Sequence, residues 1–227
     1  MANKIIISYD GTNNEDDAIA LGRALAQGGG EAVLAYVRHS QEPELDREKL
    51  VQAQAEALLE KGAELYGGDS VGREVVESRS TPEGLRALAE RIGANVVVFC
   101  SDSHTAAGKV SVGNSARRLL EGGPVAVAIA PTGFATRSDA TIGQIAVAGG
   151  EDAAATAQGF GAAIGASVAN VAAGAADLLV VGSRPEAKQG TVALSAASEN
   201  LINEARCPVL VVPHGVTVPF SRVAVGV

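Results

Sequence analysis

The chain has 227 residues, 47% of them hydrophobic but only 3% aromatic, with 27 glycines and no tryptophan. That is enough for one large domain or two small ones, with a core of Ala, Val, Leu and Ile suited to helices packed closely on a parallel sheet. The net charge is −8 and no dense Lys/Arg run occurs, which excludes a nucleic-acid surface because backbone binding needs clustered cations.

The opening MANKIIISYDG has one Lys and a short apolar run, unlike a signal peptide, and no run of about 18 apolar residues suggests a membrane span. Two cysteines, Cys100 and Cys207, form no CxxC pair. A cytoplasmic protein without a membrane partner is expected. In chain order, KIIISYD (4–10) reads as a buried strand. The next segment reads as a helix with acids in its first turn and Ala18, Leu21 and Leu25 on one face. AVLAYV (32–37) is a second strand. Residues 43–65 form a long helix with Val51, Ala55, Leu58, Gly62 and Leu65 on one stripe. REVVESR (73–79) alternates like a strand. TPEGLRALAERIG (81–93) is a helix with Thr81 as N-cap and Pro82 at its first position. NVVVFC (95–100) is a strand, a polar loop follows, a helix begins near GNSARRLL, and PVAVAIAP (124–131) closes the series. Strands alternating with helices predict an open parallel α/β sheet covered on both faces. Residues 132–143 read as a linker.

The pattern then restarts. GANVVVFCS (93–101) matches AADLLVVGS (175–183), PVAVAIAP matches PVLVVP (208–213), and KIIISYDG matches QIAVAGGE (144–151). Asp10 to Asn95 spans 85 positions but Gly150 to Asp177 only 27, so about 58 residues, roughly two strands with their helices, have no counterpart. The expected organisation is a complete unit at 1–131, the linker, and a truncated unit at 144–227. Pruning one side of a sheet exposes an edge. The tail RVAVGV (222–227) is expected to cover that edge, or else to fray.

The stretch VVFCSDSHTAAGKVSVGNSARRLL (97–120) outlines a strand, a loop that could hold an anion, and a helix N-terminus. Together with IIISYDG, LAYVRH and the closing PVxVxxxP, it resembles the universal stress protein family, as a tandem member with a shortened second half. The resemblance implies strand order 3-2-1-4-5 and, in the family's ATP-binding branch, G-x2-G-x9-G-[S/T] after the fourth strand. It also implies an Asp closing the first strand and a Val of the second strand beside adenine. The first half keeps Asp10 and Val37. Its loop keeps the spacing, with Cys100 and Ser103 at the first two glycine positions, then Gly113 and Asn114. In the second half Gly182, Pro185, Ser195 and Ala196 hold the same spacing, and Gly150 stands at the Asp position.

The resemblance implies a nucleotide site at Asp10, Val37, Ser103, Gly113, Asn114 and Ser115, with ATP or AMP as ligand and Mg2+ only alongside ATP. Cys100 and Ser103 narrow such a site and disfavour a triphosphate, while Lys109 could add positive charge. In the second half Pro185 lacks an N–H and Ala196 a hydroxyl, so that half is expected to be nucleotide-free. Simpler roles stand beside these. Asn114 or Ser115 serves equally as a helix cap, Asp10 as an acceptor for loop amides, Cys100 as a buried filler, and His104 as an exposed loop residue. No nucleophile motif and no metal-ligand spacing occurs, so neither a catalytic residue nor a metal is assigned and an enzyme is the least favoured class. Two functions lead, with an enzyme of the related nucleotide-hydrolase group as a weaker third. One is a stress-response regulatory module binding adenine nucleotide in its first half. The other is an interaction protein without nucleotide, whose halves pack as a pseudo-dimer through their final strands and which forms homodimers or recruits protein partners.

Overall fold

The computed structural model describes residues 3–12, 14–39, 45–68, 70–136, 141–169 and 176–220. The first half runs β1 (Asn3–Ser8), α1 (Glu15–Ala26), β2 (Gly30–His39), α2 (Leu45–Tyr66), β3 (Gly72–Ser78), α3 (Thr81–Ile92), β4 (Ala94–Cys100), α4 (Asn114–Gly122) and β5 (Ala126–Ala130). After a 3-10 turn at Phe134–Thr136 come β6 (Gln144–Ala148), α5 (Glu151–Ile164), β7 (Ser167–Ala169), β8 (Leu178–Gly182), α6 (Ala196–Glu204) and β9 (Val209–Val212).

These strands form one nine-stranded sheet in the order β3-β2-β1-β4-β5-β9-β8-β6-β7. The expected 3-2-1-4-5 order is present, followed by its reduced mirror. Every pairing is parallel except β5 with β9, where the two halves meet. There Val127 pairs with Val211, Ala128 with Leu210 and Ile129 with Val209. Residues 127–129 and 209–211 are repeat equivalents, so the register is symmetric about the Ala128–Leu210 pair. The final strands thus join the halves about a local two-fold axis, as expected.

The repeat is legible in the hydrogen bonds. Ser101 N–H donates to the Ala130 carbonyl and Ser183 N–H to that of Val212, each at 3.1 Å. Gly108 N–H donates to Thr132 and Gly190 N–H to His214, each at 2.8 Å. Each pair stands 82 positions apart. The expectation that the second strand is missing from the second half needs correction. β7 pairs with β6 as β2 pairs with β1, through Ile145↔Val168 and Ile5↔Ala32 respectively. Three residues of that strand survive, too few for a sequence period to reveal. The expectation for 222–227 falls outside the described residues.

Both faces are packed. Val96, Val98, Ile5 and Ile7 meet α1, α2 and α5 on one side, while Val97, Val127 and Ile6 meet α3, α4 and α6 on the other. Full burial of such side chains is worth about 1.5–3 kcal/mol each. Two details differ from expectation. Ser80, not Thr81, caps α3 by accepting from Glu83 N–H. In α2 the buried stripe is Ala55, Leu59 and Ala63, leaving Leu65 exposed. Phe220 carries the chain back over the α5 face, its ring 4.6 Å from that of Phe160.

Candidate functional site

In an open parallel sheet, neighbouring strands whose crossovers leave in opposite directions open a crevice at their carboxyl ends. β1 and β4 are such a pair, and a cleft of about 390 Å³ lies there. Asp10, Ser103, Gly113, Asn114 and Ser115 all line it, with Cys100. The structure therefore brings five of the six expected site residues together.

Val37 stands apart. Its side chain is buried under α3, where a Cβ at Gly84 would come within 2.8 Å of Val37 Cγ1. β1 pairs with β2 only as far as Ser8↔Ala35, so on that side the Val37 main chain has no strand partner. Lys109 also turns elsewhere. Its Nζ donates to the Glu204 carbonyl at 3.5 Å, at the C-terminal end of α6 where a cation is favoured. His104 is exposed.

The helix-cap role for Asn114 and Ser115 is not seen. Gly113 is the N-cap residue of α4, without a side-chain cap bond, and Asn114 begins the helix. The first-turn amides of α4, which have no partner within the helix, thus lie beside the cleft. Asp10 does serve a loop amide, accepting from Thr12 N–H at 3.0 Å in an Asx-type turn.

Glu15 is the residue that the sequence reasoning assigned only to a helix turn. Its side chain folds back under the β1–α1 loop and is 5% exposed. Its Oε2 accepts from Asp10 N–H at 2.6 Å and Gly11 N–H at 2.5 Å. Burial, and next a hydrogen bond with the Asp10 carboxyl, push Glu15 up to about 9. It is therefore a neutral acid at pH 7. The loop needs Gly11, at φ +78, because a Cβ there would meet Leu58 Cδ1 of α2 at 2.4 Å. Asp102 is the second unforeseen member. It accepts from Ser111 Oγ at 3.3 Å, and its Oδ1 lies 2.8 Å from where a Cβ on Gly113 would be. Burial, followed by the Glu15 charge, raises the Cys100 thiol to about 12, which makes it a filler rather than a nucleophile.

Ser101 holds the loop from beneath. Its hydroxyl donates to the Ala130 carbonyl at 2.7 Å and accepts from Ser111 N–H at 3.1 Å. Ser183 repeats the device by accepting from Ala193 N–H at 2.8 Å. The loop scaffold is therefore common to both halves, yet the second crevice is closed. A Cβ on Gly149, at φ +98, would lie 2.9 Å from the Gly182 carbonyl oxygen, and one on Gly182 would lie 3.1 Å from Gly150 N. Main chain fills the space between the ends of β6 and β8.

An anion fits the α4 amides. The charge of a triphosphate fits poorly, because Asp10 and Asp102 line the cleft and no Lys or Arg does. Among the described residues no group of three or more His, Cys, Asp or Glu side chains is placed to hold a metal ion, and no helix is long and apolar enough to cross a membrane.

A twice-built parallel sheet with a crevice at its switch point and a loop leading to a helix N-terminus defines an open, doubly wound α/β protein. Comparison narrows the class: the model of the universal stress protein family matches residues 1–131 and again 138–213. The chain belongs to the universal stress protein family, as a tandem member with a shortened second half. A universal stress protein from Archaeoglobus fulgidus DSM 4304 is similar in structure at a TM-score of 0.71 and 15% identity, covering 95% of this chain and 100% of that one. A putative universal stress protein from Pseudomonas aeruginosa UCBPP-PA14 is similar at 0.61 and 13% identity, with 93% of each chain covered. No curated protein sequence matches.

Proposed function

We propose that the chain is a stress-response regulatory protein that binds an adenine nucleotide in its first half only, with AMP preferred over ATP. Asp10 and the edge of the Val37 main chain that β1 leaves uncovered would face the nucleoside. Ser103, Asn114, Ser115 and the close approach at Gly113 would face phosphate. The observation that carries this reading is the contrast at the two switch points: an open cleft beside the α4 amides, and a closed one at Gly149 and Gly182. The acidic lining supports the shorter ligand, because each added phosphate meets Asp102 with no cation to offset it.

Calorimetry with AMP and with ATP plus Mg2+ tests this reading. Saturable heat is expected with AMP, weaker heat with ATP, and none with either in Gly113→Val. Silence at millimolar nucleotide would retire the proposal in favour of the second one, an interaction protein of the same fold. What favours that second reading is the β5–β9 pairing, which makes the chain a pseudo-dimer in itself.

A further inference from the structure

A second groove, of about 280 Å³, lies on the opposite face of the sheet from α1 and α5, between α4 and α6. Its lining is itself two-fold related. Leu120 and Ile202 stand 82 positions apart and line it, as do Arg117 with Glu199 and Glu121 with Asn203. The apolar pair is buried, at 5% and 2% exposure, and the four polar residues are exposed. The shape obeys the axis but the charge does not.

The direction of the helices turns this into a polarity. α4 and α6 lead into the antiparallel strands β5 and β9, so they run opposite ways. Two hydrogen bonds fix their ends. Val192 N–H, ahead of α6, donates to the Leu120 carbonyl near the end of α4. Lys109 Nζ, ahead of α4, reaches the Glu204 carbonyl at the end of α6. Glu121 therefore shares one end of the groove with Glu199, and Arg117 shares the other with Asn203. Neither the Arg117 nor the Glu121, Glu199 or Asn203 side chain has a hydrogen-bond or ion-pair partner among the described residues. Within the lining, two carboxylates at one end and a guanidinium at the other, none of them paired, leave complementary charge to be supplied from outside; Lys188 stands with Glu121 in the adjoining groove, and Lys109 is held on the Glu204 carbonyl.

We propose that this groove binds a linear zwitterion with an apolar middle, its carboxylate at Arg117 and Asn203 and its ammonium between Glu121 and Glu199. Val112, Val192 and Leu194, half-buried in the same lining, take the methylene body. Arg117 and Glu121 are one helical turn apart, about 6 Å along the axis. An ω-amino carboxylate spans that distance. An α-amino acid, with both charges on one carbon, does not. This site is separate from the β1–β4 cleft and does not depend on nucleotide binding there.

The probe is 6-aminohexanoate, titrated calorimetrically into the full chain, with glycine and hexanoate as controls. Saturable binding is expected for 6-aminohexanoate, and binding at least about tenfold weaker for each control. Arg117→Gln and Glu199→Gln should each lower its affinity about tenfold, the scale of a lost charged hydrogen bond. Both positions are exposed, and circular dichroism confirms that the variants stay folded. Asp102→Asn, in the other cleft, should leave the affinity for 6-aminohexanoate unchanged. No saturable heat, glycine binding as well as 6-aminohexanoate, or full affinity in both Gln variants would each overturn the proposal.

Discussion

The two crevices share a loop scaffold and differ in what holds their strand ends apart. In the first half Tyr9 and Cys100 occupy the strand ends, and α1 begins five positions beyond Asp10, at Glu15. In the second half the same places are Gly149 and Gly182, and α5 begins one position beyond Gly150. The second half retains the family glycine at 182, yet that glycine lets main chain close the gap. The first half has lost its glycine to Cys100 and remains open. Loop spacing alone therefore does not make a cleft; the connection leaving the first strand does.

The closed side is the easier to break. Gly149→Val puts a side chain onto the Gly182 main chain at φ +98 and should cost about 3 kcal/mol of stability, read from urea unfolding. On the open side, Glu15→Ala removes the acceptor of two amides and should cost about 2 kcal/mol at pH 5. The pH dependence sharpens that test. Glu15 titrates near 4.5 when unfolded but near 9 when folded, so the native chain binds more protons between these values. Its contribution is complete below about pH 4.5 and is lost as pH rises through 9. Glu15→Gln, a neutral mimic, should flatten the fall in urea midpoint between pH 5 and 9.

Ser101→Ala and Ser183→Ala test what the halves share. Each leaves a loop amide without its acceptor, and each should cost about 1 kcal/mol by the same denaturation measurement. Unequal losses would show that the scaffold matters only where a cleft exists. The smallest effect concerns ligand. Asp102→Asn should raise AMP affinity about fivefold by calorimetry, since it removes a negative charge beside Gly113.

Continuous apolar runs such as IIIS, VVVFC and AVAIA make the sheet legible, because parallel strands buried on both faces are apolar on both. Ser103, Gly113 and Asn114 are implied by the family resemblance, and they do meet in one cleft. Glu15 was legible only as an acid in a helix turn. Its inward fold depends on Gly11 and on Leu58 arriving from α2, a contact between distant parts of the chain. Asp102 hid in a polar loop where any acid looks exposed. β7 escaped because three residues cannot show alternation. Lys109 was drawn from the cleft by a carbonyl in the other half, and neither half alone reveals that.

The symmetric register at Ala128 and Leu210 has a stoichiometric consequence. Two identical repeats about that axis would present two equal receptors, able to influence one another. Here the axis relates an open cleft to a closed crevice. Occupancy within a chain has no twin to communicate with, and a titration of the first cleft should follow a simple hyperbola with unit slope.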